Sequence, residues 1–181
     1  MNDERSAYNT MIKISELEKI GLKITWKLLY LGYSGYSDFG KQISAGDIIA
    51  FAIDQLVPDN CNNDICELAS SYESEDEDIL RILHQLSMNE KSNNKFELRK
   101  SMSSIMSNAL KTKDPNYIDG LMELTDLWIE LGYPLDSPHV IQGRENNMST
   151  HDYYTEENYE KLYHKNIHWL KTELAYLRMN Q

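Results

Sequence analysis

The sequence is short of the material from which catalytic and anion-binding sites are commonly built. Eight glycines in 181 residues leave little for a phosphate cradle. No G-x-x-x-x-G-K-[ST], G-x-G-x-x-G or G-x-S-x-G pattern occurs. Cys61 and Cys66 are the only cysteines, too few for the disulfide framework of a small secreted domain, so reduced thiols in a cytoplasmic protein are expected. Bases are scarce as well. Eighteen Lys and Arg against 29 Asp and Glu leave a formal charge of −11. That disfavours nucleic acid and anionic membranes as partners, because affinity for phosphates rests on cations that displace counterions. No apolar run approaches the ~18 residues of a membrane span, and the polar start Met1-Asn2-Asp3-Glu4-Arg5 is followed by no apolar signal region.

What is present is a helical period. At this length roughly 70% of the unfolded surface can be buried, enough for one domain over residues 1–181. Residues 1–11 read as a frayed N-terminus. Ser15 and Glu18 have capping-box spacing ahead of a short helix closed by Gly21. Thr25 caps a second helix through Trp26, Leu28, Leu29 and Leu31, ended by Gly32, and residues 33–43 read as a loop. Ser44 and Asp47 open a third that Pro58 stops. Ser74 and Glu77 are placed to cap a helix with Ile79, Ile82, Leu83 and Leu86 on one face, and Leu98, Met102, Ile105, Met106 and Ala109 repeat that spacing. After Asp114-Pro115 comes a segment apolar over most of its circumference, from Ile118 to Leu131, expected to be a central helix with one wet stripe. Residues 132–154 form a long irregular connection, and 155–179 a C-terminal helix. No alternating strand pattern persists. The expected fold is all-α, an irregular bundle of seven or eight helices.

The negative charge is concentrated. Between Lys41 and Arg81 there is no base and there are ten acids; between Lys113 and Arg144 there is no base and there are six. The remainder of the chain is mildly basic. Asp64, Glu67, Glu73, Glu75, Asp76, Glu77 and Asp78, with Tyr72 among them, form the denser cluster. A helix N-terminus accounts for two or three of these carboxylates, and the rest point either to a solvated face or to a basic partner. Asp119, Glu123, Asp126 and Glu130, at i, i+4, i+7 and i+11, share one face of their helix. They are a possible second acidic surface, with a solvated face as the plainer explanation. Neither cluster has the spacing of a calcium loop.

His164 and His168 have the i, i+4 spacing of a metal pair, but Lys165 stands where a hydrolytic zinc helix has its glutamate. No metal, cofactor or catalytic residue is expected, and a non-enzyme is. Twelve tyrosines and three tryptophans suit either core margins or binding surfaces, with Trp26, Trp128 and Trp169 read as core.

Ile14-Ser15-x-Leu17-x-x-x-Gly21-Leu22-x-Ile24-x-Trp26, then Leu31-Gly32, then Gly46-Asp47-Ile48 with Ala52, and finally Leu131-Gly132-Tyr133-Pro134, resemble the bacterial family of domain of unknown function 2247. The resemblance covers about residues 12–142 and leaves 143–181 unsupported. It implies a small helical bacterial protein from a group often found among immunity genes beside polymorphic or contact-dependent toxins, and it brings no catalytic residues with it. The expectation that follows is a cytoplasmic immunity protein. It would block a cognate toxin, such as a nuclease with a basic cleft, through the 64–78 cluster, with Tyr72 as an anchor. A helical adaptor with an apolar groove, or a hydrolase with a carboxylate or metal site, are the alternatives.

Overall fold

The computed structural model describes residues 11–35, 40–57, 62–144 and 146–181. Among these the chain forms nine helices and no strand: α1 (Ile14–Lys19), α2 (Trp26–Ser34), α3 (Ala45–Asp54), α4 (Asn63–Ala69), α5 (Asp76–Met88), α6 (Asn94–Ala109), α7 (Tyr117–Glu130), α8 (Thr150–Tyr153) and α9 (Glu156–Met179). The fold is all-α, as the period indicates. Two of the helices, α4 and α8, are too short for the pattern of apolar residues to announce them. Of the expected frayed N-terminus at 1–11, residues 1–10 lie outside the described residues, as do Pro58, Cys61 and part of the expected loop at 33–43.

The chain divides into two compact units, Met1–Ile105 with Leu177–Gln181, and Met106–Tyr176. In the first, side-chain caps set several helix starts. Thr25 accepts from the Leu28 amide at 3.0 Å, and Ser44 accepts from the Asp47 amide at 3.1 Å while donating to its carboxylate. Two sequence expectations need correction. α1 starts at Ile14, so Ser15 lies inside it and Lys13, without a side-chain bond, stands at the cap. α5 starts after Glu75, not Ser74; Glu75 instead accepts the Tyr72 amide, at 2.8 Å, and organises the turn before the helix.

Gly32 does not end α2. It is buried inside the helix, and a β-carbon there would lie 2.7 Å from Ile43 Cδ1, so glycine is required for close approach. The stop is Gly35, in the left-handed region at φ +68°, where L side chains are strained. Two amides of the first turn of α2 are satisfied from far along the chain: Glu90 accepts from Trp26 and Lys27 at 3.0 and 2.7 Å. The core of this unit takes in Leu28, Leu29, Ile48 and Leu68 and the α5 stripe Ile79, Ile82, Leu83 and Leu86, which is buried as the spacing predicts. The last residues complete the unit. Arg178 donates twice to the Ile20 carbonyl, at 2.9 and 2.8 Å, placing a cation on an orphan acceptor just past α1.

In the second unit α7 buries Gly120, Leu121, Leu124, Leu127 and Trp128. Gly120 lies against the Tyr159 ring, leaving no room for a β-carbon. Trp128 is fully buried; its indole donates to Asn166 Oδ1 at 2.6 Å, and Asn166 in turn donates to the Leu162 carbonyl. Trp128 meets Trp169 edge to face, with ring centres 5.0 Å apart. Trp26 and Trp169 are only half-buried. The expectation that α7 is central, with polar residues as its single wet stripe, is wrong. Ile118, Met122 and Ile129 are exposed at 39%, 39% and 53%. Periodicity marks a side chain as apolar without saying whether another element covers it.

Candidate functional site

The 64–78 acids are carried by α4 and by the start of α5, and the structure brings several of them together. Arg81 on α5 pairs with Glu67 of α4 and, at 3.4 Å, with Asp78, so one guanidinium ties the two helices. Asp76 accepts a short hydrogen bond from the Tyr33 hydroxyl and pairs with Lys41 at 3.1 Å. The Lys41 ammonium also sits 3.7 Å from the centre of the Tyr33 ring. These contacts hold the Asp76 carboxyl below the ordinary range, the Tyr33 bond first and Lys41 second. Burial, then the Asp76 carboxylate, raises the Tyr33 phenol well above its usual value.

Not every carboxylate is compensated in this way. Glu73 lies over Gly46 in the first turn of α3, a space that a β-carbon would close. Glu77 is exposed on the first turn of α5, and its side chain makes no hydrogen bond or ion pair among the described residues. Asp64 is half-buried in the first turn of α4. Tyr72, in the turn between the helices, exposes 73% of its surface. A shallow groove of about 360 Å³ continues the acidic corner along α5. It is lined by Glu77, Leu80, Arg81 and His84 with Tyr30 of α2, whose ring lies 5.2 Å from the His84 imidazole. Sequence reading missed Tyr30, Tyr33, Lys41 and His84 as members of this surface. Their partners are 35 to 54 residues away, and only the crowding of tyrosines after Leu29 pointed to the region.

The second acidic set lies on α7. Asp119, Glu123 and Asp126 are exposed and Glu130 is half-buried. One Glu130 carboxylate oxygen is buried without a hydrogen-bond partner among the described residues, and burial, then the charge of Asp126, raises the Glu130 pKa. His164 and His168 stand exposed on α9 in an open groove of about 570 Å³ with Lys161, Lys165, Trp169 and Pro138. His164 Nε2 is 3.8 Å from Glu160. Among the described residues no group of three or more His, Cys, Asp or Glu is gathered as a metal ion would need.

Cys66 is disulfide-bonded, which corrects the expectation of a reduced thiol there. Cysteine usage therefore gives no sign of a reducing compartment. Among the described residues no helix is long and apolar enough to cross a membrane.

Two buried polar sites lie away from these acidic surfaces. Lys100 and Glu97 on α6 are an ion pair at 3.1 Å, exposed at 1% and 0%, with the Lys100 ammonium also donating to the Lys23 carbonyl at 2.9 Å. His139 is buried beside Thr125, 2.9 Å from its hydroxyl. That hydroxyl gives its proton to the Leu121 carbonyl, so His139 Nε2 must carry the hydrogen and donate. His139 Nδ1 then faces no donor, and burial pushes the imidazole down to about 4.

Residues 14–174 match the model of a family described as an uncharacterized protein conserved in bacteria, domain of unknown function 2247. The chain belongs to this family. The match runs well past residue 142, so α8 and most of α9 are part of the family pattern, correcting the expectation that the tail stands outside it. No curated protein and no solved structure matches the chain.

Proposed function

We propose that this family member is an immunity protein, acting in the cytoplasm by binding a delivered toxin with a basic surface and occluding it, without chemistry of its own. The observation that carries the reading is Tyr72: a tyrosine 73% exposed, at a corner with seven carboxylates of which, among the described residues, three are paired, by Lys41 and Arg81. An aromatic with two rotatable side-chain angles supplies anchor area at low entropy cost, and the surrounding negative potential steers a cationic partner. The immunity setting that the family resemblance implies is in keeping with such a surface.

The structure changes which residues should be tested. Asp76 holds Tyr33 and Lys41, and Glu75 holds the turn, so reversing either disturbs the fold as well as the field. Glu73→Lys with Glu77→Lys removes charge from the corner with least structural cost. The partner to use is the product of the adjoining toxin-type reading frame, lethal when expressed alone. The double variant is expected to bind it about tenfold more slowly at low salt, with a flatter salt dependence. Tyr72→Ala should speed dissociation. Failure of the unaltered chain to protect, or unchanged kinetics in both variants, refutes the reading.

A further inference from the structure

The exposed side of α7 combines two features that solvation alone does not require. Ile118, Met122 and Ile129, at i, i+4 and i+11, form an exposed apolar line about 16 Å long. Directly beside it on the helical wheel run Asp126, Asp119, Glu130 and Glu123. The helix contains no base, and the cations that bound this base-free interval are engaged elsewhere: Lys113 pairs with Glu160, and Arg144 lies over the Tyr133 ring. Among the described residues, Glu130 is left with a buried, unpartnered oxygen. Asp119 accepts from the Asn116 side-chain amide at 2.6 Å, but among the described residues none of the four carboxylates makes an ion pair. An apolar stripe with such an edge fits a surface whose own stripe is edged by Lys or Arg.

We propose that this face of α7 docks a basic amphipathic helix of a partner protein, about three turns long, with apolar side chains on Ile118, Met122 and Ile129 and cations on the acidic edge. The surface is separate from the α4–α5 corner, and the proposal does not depend on the immunity reading. A second copy of the chain is a poor occupant. Two α7 helices packed antiparallel about a two-fold axis would bring acidic edge against acidic edge. An anionic bilayer is repelled for the same reason.

The test uses the full chain with methyl-labelled methionine and a synthetic 18-residue amphipathic helix, leucine on one face and lysine along its edges. Met122 on α7 and Met88 on α5, exposed at 39% and 69%, report the two surfaces separately. Saturable shifts of Met122 without Met88 are expected. Affinity should fall at least tenfold in Glu123→Lys/Asp126→Lys and in Met122→Ser/Ile129→Ser, the latter followed by tryptophan fluorescence. Glu73→Lys/Glu77→Lys should bind as the unaltered chain does, and all variants should keep its helical circular dichroism. No saturable Met122 shift, equal loss in the Glu73→Lys/Glu77→Lys variant, or self-association that vanishes with Met122→Ser/Ile129→Ser would overturn the proposal, the last in favour of a second copy.

Discussion

The two units treat charge in opposite ways. In the first, carboxylates that the sequence places side by side are tied into the fold: Asp76 to Tyr33 and Lys41, Glu67 and Asp78 to Arg81, and Glu97 to Lys100 in full burial. In the second, the carboxylates of α7 have no cation on their helix, and one buried titratable group, His139, avoids charge by staying neutral. Formal charge in sequence is thus a poor measure of charge offered to a partner. Much of the denser cluster already serves structure, whereas the sparser one on α7 makes no ion pair among the described residues.

The contrast is broken most severely at Lys100. Lys100→Met strands Glu97 in the core, and unfolding free energy from urea titration should fall by about 3–5 kcal/mol. Replacing both, Glu97→Leu with Lys100→Met, should recover most of that loss. If the single variant is as stable as the parent, the pair is not a compensated buried charge.

His139 tests the other strategy through pH. Its folded value of about 4 lies below the ordinary 6.5, so the unfolded state binds the extra proton first. Stability should therefore be lost as pH falls from about 6.5 toward 4, by at most about 3 kcal/mol. Amide exchange in residues 121–128 should show this, and His139→Gln should flatten the dependence. An acid limb that survives the substitution unchanged would remove His139 as its source.

Asp76 should show a smaller effect of the same sign, set lower in pH. A lowered carboxyl pKa contributes stability above the ordinary carboxylate range and loses it as pH falls through the folded value. Asp76→Asn should have a lower urea midpoint than the parent at pH 7, and the two should converge as pH falls below the folded value of Asp76. Tyr33→Phe should reproduce part of that deficit; a normal midpoint in both variants would mean the linkage carries no stability.

Local signals in the sequence were sufficient for the caps at Thr25 and Ser44 and for the α5 stripe, because these are decided within about four residues. They failed where the deciding partner is distant. Glu90 reaches α2 from more than sixty residues away, Gly32 is glycine because of Ile43, and Ser74 loses the cap to a turn built by Glu75. The same limit governed the site. The 64–78 acids were visible as a run, but not that Lys41, Arg81 and Tyr33 engage several of them. The α7 acids were visible as a face, but not that the apolar residues beside them lie open.

The mildest test bears on that last point. Glu130 is raised by burial first and by Asp126 second, so Asp126→Asn should bring its pKa only part of the way down, as carboxyl NMR would show. A raised carboxyl pKa is stabilising at acid pH and loses that contribution as pH rises through the folded value. Glu130→Gln should therefore stabilise the protein slightly near neutrality, by less than about 0.5 kcal/mol because the group is largely solvent-screened. A docked cationic helix does what Asp126→Asn does, and more, since it supplies an opposite charge in addition to offsetting a like one. Saturation with the lysine-edged peptide should drop the Glu130 pKa below its value in Asp126→Asn and release protons at pH 5. If the peptide leaves the Glu130 titration unmoved, the open carboxylates of α7 are solvated and nothing more, and the difference between the units is one of stability alone.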